Sequence, residues 1–326
     1  MVNKKIKIIA EAGQGHEGSE KNVKNYINAA THIKVDYLKF HLIYADELAF
    51  KDYKFYDFFK KLELKKKTWI KLCQYAKKKK IKISFDVLGD YSLKVAEQCK
   101  VDLIKLHATD IYNYPLQNKI NKSKIKNVIL STSGCYENEM IKAIKNMKKK
   151  NITCKLGYQN YPTQSKKLNL KKIDVIKKKL KIKVGYADHS CTGLNETIYN
   201  SSSAVSMGAE MIEKHLTFNN KIKIEDDESA ISTNEFKELI NVVNLCSDNI
   251  KRNDKFISSE DLKYRKKVSR SFYSSKKIMK NETLSFKNIC LKRGKNFNKI
   301  DIKDLLYKKA KRKILKDKLI KKEYLK

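Results

Sequence analysis

Short apolar runs recur at fairly even spacing along the first 245 or so residues. They cover residues 6–10, 35–40, 81–85, 103–106, 128–130, 153–156, 183–185 and 210–213. Each has the length of a buried strand. Between them lie polar stretches whose apolar residues fall at helical intervals, as in Val23/Ile27/Ala30, Trp69/Leu72/Cys73/Ala76, Met140/Ile144/Met147 and Ile198/Ser202/Val205. Eight buried strands alternating with helices predict an α/β fold, specifically a (β/α)8 TIM barrel over residues 1–250. A doubly wound sheet is the structural alternative. Its nucleotide-binding signal would be Gly13-Gln14-Gly15-His16-Glu17-Gly18, which has the right glycine spelling. No acidic residue ends the second strand, however, which closes as Lys39-Phe40-His41. The dinucleotide reading is therefore set aside.

The pattern changes near the end of the barrel. Residues 251–267 are charged and read as a linker. Residues 268–326 hold short strand-like pieces at 271–274 and 289–292, with turn signals at Lys280-Asn281-Glu282 and Arg293-Gly294. A β-rich domain of this size buries little core by itself and is expected to lean on another surface.

Composition narrows the class. The chain has 326 residues, 73 Lys+Arg against 36 Asp+Glu, and a formal net charge of +37. Five of the basic residues are Arg, at positions 252, 265, 270, 293 and 312, and none precedes them. Nucleic-acid readers favour Arg for its bidentate contacts. The lysine-only excess, alongside abundant Ile and Asn, instead fits A/T-biased codons, so no nucleic-acid partner is expected. The field still favours small anions. No apolar run is long enough for a membrane span or a signal-peptide core, so no membrane partner is expected. The seven cysteines are scattered without a C-x-x-C, which argues against a disulfide framework or structural zinc and for a cytoplasmic setting.

A barrel places its chemistry at the C-terminal ends of its strands. Five of the six histidines fall there by sequence position: His16, His41, His107, His189 and His215, with His32 on a helix. Residues two apart on a strand share a face. Lys39 therefore points with His41, Lys105 with His107 and Glu213 with His215, while Glu11 ends the first strand. A lysine aimed into a barrel mouth needs an anion or a shifted pKa, so Lys39 and Lys105 predict a phosphate or carboxylate ligand. His189 and His215, from adjacent strands, are placed to share a catalytic divalent metal, with Mn, Fe, Co and Zn all open.

In its ordered motifs the chain resembles the sialic acid synthase (N-acetylneuraminate synthase) family. The segment Glu11-Ala12-Gly13-Gln14-Gly15-His16-Glu17-Gly18 is similar to the family's E-I-G-x-N-H-x-G, and Leu38-Lys39-Phe40-His41 to its V-K-F-Q. Ile104-Lys105-Leu106-His107-Ala108-Thr109-Asp110, Leu130-Ser131-Thr132-Ser133-Gly134 and Tyr161-Pro162-Thr163 follow in the family's order. Gly185-Tyr186-Ala187-Asp188-His189 and Ile212-Glu213-Lys214-His215-Leu216-Thr217 are the most specific matches. Leu291-Lys292-Arg293-Gly294 stands where the family's small antifreeze-like (SAF) domain has K-R-P-G.

The resemblance implies a reaction. Phosphoenolpyruvate condenses with an N-acyl hexosamine, such as an N-acetylmannosamine-like aldose, to give a nine-carbon 2-keto sugar acid and phosphate. It also implies roles. Glu11 and Asp110 would transfer protons. Lys39, Lys105 and Ser131 would bind phosphoenolpyruvate. Tyr161, Asp226, Arg293 and His41 would face the sugar. His189 and His215 would hold a divalent metal, Mn2+ first, with Mg2+ or Co2+ also open. The family further implies a homodimer in which the SAF domain of one subunit covers its partner's barrel.

Several positions depart from the family pattern. His41 replaces Gln, Ala108 and Ala187 replace Ser, Gln159 replaces Asn, and Ser84-Phe85-Asp86-Val87 lacks a phosphate-binding Thr. His41 and His107 are candidate replacements for the lost contacts. The metal pair and both lysines remain, which favours altered sugar specificity over lost activity. The rivals are another phosphoenolpyruvate-dependent aldose synthase, such as a 3-deoxy-octulosonate phosphate synthase, and a lapsed barrel used for binding.

Overall fold

The computed structural model describes residues 5–157, 160–191, 193–219, 223–250, 256–294 and 298–326. Its contacts divide the chain into Met1–Arg252 and Asn253–Lys326. Each unit has its own apolar core.

In the first unit eight parallel strands form the predicted (β/α)8 barrel. They are β1 (Lys7–Gly13), β2 (Tyr37–Leu42), β3 (Lys82–Val87), β4 (Leu103–Leu106), β5 (Asn127–Ser131), β6 (Asn151–Leu156), β7 (Lys183–Asp188) and β8 (Met211–Leu216). They pair in sequence order, and β1 closes on β8 with Glu11 opposite His215. All eight overlap the apolar runs seen in the sequence, offset by a few residues. Helices follow the strands because their apolar stripes bury against the barrel wall. Helix Glu20–Ile33 buries Val23, Tyr26, Ile27 and Ala30, and Lys66–Lys78 buries Trp69, Leu72 and Ala76. Ser19 caps the first of these, accepting from the Asn22 N–H at 3.3 Å.

Period-two alternation sorts the barrel interior into layers. Ile9, Tyr37, Leu103, Ile129 and Met211 form an apolar floor. Two residues further along these strands stand Glu11, Lys39, Lys105, Ser131 and Glu213, joined by Asp86 and Lys155. Two residues further again come His41, His107 and His215, with His189 just past β7. Apolar packing thus ends one layer below the mouth, and charge begins there.

The second unit pairs Ser271–Ser274 antiparallel with Ile289–Lys292. Ile278, Leu284, Ile289, Leu305, Ala310, Ile314, Ile320 and Leu325 form its core. Part of the stretch expected to be a linker is helical, over Ser259–Val268. Ser258 and Asp261 make a reciprocal cap, with the Asp261 N–H donating to Ser258 Oγ at 3.0 Å and the Ser258 N–H to Asp261 Oδ2 at 2.9 Å. No residue of this helix is buried. It has no apolar stripe to announce it, and local capping is its only sequence signal. Residues 251–255 of the expected linker lie outside the described residues.

No helix among the described residues is long and apolar enough to cross a membrane.

Candidate functional site

Six charged side chains interlock inside the barrel. The Lys39 ammonium is fully buried and touches Glu11, lies 2.6 Å from Asp86 Oδ1 and 3.8 Å from Glu213 Oε1. Lys105 Nζ lies 2.8 Å from Asp86 Oδ2 and 3.9 Å from Glu213 Oε1. Lys155 meets Glu213. Asp86 also has His41 Nε2 at 3.4 Å. The layer holds three carboxylates and three ammonium groups, so it can be neutral as a set, the condition under which charge is tolerated away from water.

Burial moves individual groups in opposite directions. For Asp86 and Glu213 desolvation opposes the charge, but the neighbouring ammonium groups win and hold both carboxyls well below their usual range. Glu11 has less compensation. Desolvation, with Glu213 and Asp86 nearby, outweighs Lys39 and pushes its carboxyl up to about 7. Desolvation pulls Lys155 down to about 7, despite Glu213. Lys105 moves up, because Asp86, Glu213 and Glu11 more than offset its burial. Groups near 7 are suited to proton transfer at neutral pH.

Above this layer opens a cavity of about 130 Å3. Glu11, Lys105, Ser131 and Lys155 reach its wall, as do His41, His107, Tyr161, His189 and His215. Tyr161 stands edge-on to both metal-candidate histidines, with ring centroids at 4.9 Å from His189 and 5.8 Å from His215. The two imidazole centroids are 5.7 Å apart. Asp226, in the stretch after β8, comes close to the end of β1: a Cβ on Gly13, whose φ is +49°, would stand 2.8 Å from Asp226 Oδ2 and 3.4 Å from His215 Cε1. Only glycine accepts both that backbone and that approach. Desolvation raises the Asp226 carboxyl to about 6, with Glu225 and Glu228 adding to it against the Gln14 N–H.

The structure therefore gathers Glu11, Lys105, Ser131, His41, Tyr161, His189 and His215 at one cavity, with Asp226 beside His215. Within the barrel unit it does not bring Lys39 or Asp110 there. Lys39 is held by carboxylates and is not among the residues lining the cavity. Asp110 is also absent from the lining. Its carboxylate accepts from Asn113 Nδ2 at 2.9 Å and Thr109 Oγ1 at 3.3 Å within its own loop. His16 is buried beside Trp69 and Phe40, accepting from the Gly18 N–H at 3.1 Å. Arg293 lies in the second unit, where its Nε donates to Val268 O at 3.1 Å. Gln159 is outside the described residues.

Asp86 and Lys155 carry no role in the sequence reading. The third apolar run stops at Phe85, so Asp86 falls just beyond the expected strand. Lys155 lies within the sixth run, but Cys154 and Leu156 on either side draw the eye. Extending each strand in phase with Ser84 and Thr153 would have pointed both inward.

Glu11, His41 and Asp86 offer ligand atoms within 4.8 Å of one another and can in principle hold a cation. The Lys39 ammonium already occupies the position between Glu11 and Asp86. The pair expected to hold a metal, His189 and His215, presents two uncharged rings. Desolvation holds both rings neutral, His189 at about 3 and His215 well below its usual value. His189 Nδ1 is buried without a hydrogen-bond partner.

These neutral rings have a consequence for stability. His16, His41, His107, His189 and His215 are all lowered by burial, His16 and His107 to about 4 and His189 to about 3. Between about pH 4 and 6.5 the unfolded chain protonates these rings and the folded chain does not. Their contribution is complete above 6.5 and lost as pH falls. Glu11 and Asp226, raised by burial, act with the opposite sign and offset part of it. Unfolding near pH 5.5 should take up two or three net protons, so stability falls by roughly 3 kcal/mol per pH unit. Urea unfolding of the metal-free protein at pH 5, 6 and 7 measures it. A flat profile would show that the rings are charged when folded.

The NeuB family model matches residues 26–255. An uncharacterized protein of Methanocaldococcus jannaschii is 29% identical over 289 residues, covering 88% of this chain and 84% of its own. The N,N'-diacetyllegionaminic acid synthase of Campylobacter jejuni is 28% identical over 312 residues, covering 90% and 92%. Among solved structures, N-acetylneuraminic acid synthetase of Leptospira borgpetersenii in complex with citrate superposes with a TM-score of 0.74 at 25% identity, covering 82% of this chain and 93% of that one.

Proposed function

The chain belongs to the NeuB family, and on that premise we propose that it condenses phosphoenolpyruvate with the open-chain aldehyde of an N-acyl hexosamine, forming a nine-carbon 2-keto sugar acid and releasing phosphate. The observation that carries this reading is the composition of the barrel-mouth cavity. Lys105 and Ser131 come from neighbouring strands β4 and β5, while Glu11, His189 and His215 come from β1, the end of β7 and β8. One wall suits an anion, and the other suits a carbonyl and a metal.

His189 and His215 would hold a divalent metal, Mn2+ by preference, and such an ion supplies Lewis acidity toward the aldehyde oxygen. The chain's own groups do the rest. Lys105 and Ser131 hold the phosphoenolpyruvate with its C3 toward the aldehyde carbon. Carbon–carbon bond formation leaves positive charge at C2, which water quenches. Glu11, near 7, takes one proton from that water and passes it to the alkoxide left by the aldehyde; collapse of the tetrahedral centre then forms the C2 ketone and breaks the C2–O bond to phosphate, which leaves with the remaining hydroxyl proton. Lys39, between them in the same layer, keeps Glu11 and Asp86 in place. Asp226 and Tyr161 are disposed to grip the sugar beside the metal, and His41 occupies the adjoining wall. Asp110 would act only after leaving its loop hydrogen bonds.

The test is phosphate release from phosphoenolpyruvate with Mn2+ across a panel of N-acyl hexosamines, with phosphorylated and unphosphorylated aldoses as controls. Release with at least one N-acyl hexosamine is expected. Release only with phosphorylated aldoses lacking an N-acyl group would assign the chain to another aldose synthase. No release with any of them would leave a binding role.

The second unit is read as a SAF domain, and the active form as a homodimer in which Arg293 of one subunit reaches the sugar bound by the other. Mixing Arg293→Ala and His215→Ala subunits should then restore activity, since one of the two sites in each heterodimer has both groups. Subunits that demonstrably exchange yet stay inactive would exclude action in trans.

A further inference from the structure

We propose that Lys155 is a substrate-binding residue, and that Lys105, Ser131 and Lys155 on three successive strands seat the phosphoryl group of phosphoenolpyruvate. This rests on the reading of the chain as a phosphoenolpyruvate-dependent synthase.

The three lysines of the barrel are not equivalent. Lys39 has no access to the cavity and is already surrounded by Glu11, Asp86 and Glu213. Lys105 and Lys155 both reach the cavity wall. Lys105 has Asp86 on one side. Lys155 is 2% exposed and has a single counterion, Glu213. Its Nζ is buried, and among the described residues it has no hydrogen-bond acceptor besides the Glu213 carboxylate it touches. An ammonium carries three donors, and leaving them unmet in a buried site is costly. Burial with one counterion also pulls this amine down to about 7, the mark of a cation short of negative charge. An arriving anion meets that need.

The geometry of the strands supports the assignment. β4, β5 and β6 are neighbours, and Ser131 is in register with Lys155. Two ammonium groups flanking one hydroxyl suit a phosphoryl dianion. Hydroxyls that the family resemblance would place around the phosphate are missing at Ala108 and Ala187. Lys155 supplies a charge on the same side of the barrel as the position those hydroxyls leave.

The test uses the full chain. Affinities for phosphoenolpyruvate, inorganic phosphate and pyruvate are measured by calorimetry for the wild type, Lys155→Met and the charge-neutral pair Lys155→Met/Glu213→Gln. The pair covers the case in which Glu213, left with only the more distant Lys39 and Lys105, keeps the single variant from folding. Mn2+ affinity is measured alongside. The expected result is at least a tenfold loss for phosphoenolpyruvate and phosphate in the folded variants, with pyruvate changed less than threefold and Mn2+ affinity of the single variant unchanged. Affinity for phosphate within twofold of wild type would overturn the proposal. So would a loss confined to pyruvate, which would place the carboxylate there instead. A wild type that binds phosphoenolpyruvate but turns over no aldose would remove the synthase reading and leave the Lys155 site standing. A wild type that binds none of the three anions would remove both.

Discussion

His215→Ala should lower Mn2+-dependent turnover by ~10^3-fold or more, because Lewis-acid stabilisation of a developing alkoxide is worth several kcal/mol and two imidazoles are the neutral donors available at this wall. The ring faces His189 and Tyr161, and its backbone pairs with Glu11 in the closing seam of the barrel. Removing it should take away metal affinity with little effect on the charged layer below, whose lysines contact carboxylates and not this ring. The readout is therefore split. Mn2+ binding and turnover collapse together, while phosphoenolpyruvate affinity in metal-free protein changes less than threefold. Excess EDTA should reproduce the loss in the wild type. Full turnover in EDTA, with metal content measured at zero, would end the Lewis-acid role. A His215→Ala variant that binds Mn2+ as tightly as the wild type would move the metal to other residues.

Much of this architecture was legible in the chain. The apolar runs marked all eight barrel strands, and the pieces at 271–274 and 289–292 coincide with the strands of the second unit. Alternation also assigned the inward phase of Lys39/His41, Lys105/His107 and Glu213/His215. What alternation does not supply is depth. Lys39 and Lys105 stand at corresponding places on β2 and β4, yet one is sealed under carboxylates and the other reaches the cavity. That difference arises from partners on β1, β3 and β8, brought together only by closure. Asp86 illustrates the same point. Given no role by the sequence, it is the carboxylate between two lysines. Asp110 shows the reverse. Its motif is present, but Thr109 and Asn113 hold its carboxylate within its own loop.

Asp86→Asn should be the most destabilising single change in the barrel layer. Its two oxygens face Lys39 at 2.6 Å and Lys105 at 2.8 Å, and His41 Nε2 lies 3.4 Å away. Asn is nearly the same size, so the change removes charge without opening a cavity. It leaves two buried ammonium groups leaning on Glu11 and Glu213. Glu11 is a poor substitute, because burial pushes its carboxyl up to about 7 and it is half protonated at neutral pH. Removing one partner of a buried ion pair costs about 3–5 kcal/mol. We expect a loss of that size in urea unfolding at pH 7. The Asp86 carboxyl is held well below its usual range, so this stabilisation is complete from neutral pH down to the ordinary carboxylate range and is lost as pH falls further, where the unfolded chain takes up a proton that the folded chain does not. The gap between variant and wild type should therefore persist at pH 5 and narrow in stronger acid, as the pH falls from the ordinary carboxylate range toward the depressed native value. The double change Asp86→Asn/Lys39→Met also removes the more deeply buried of the two stranded charges. It should recover part of the loss, although Lys105 remains short of a partner. If the double variant is less stable than Asp86→Asn by the full cost of a second independent mutation, the two residues are not coupled. The interlocked layer would then be wrong as a description of what holds this barrel's mouth together.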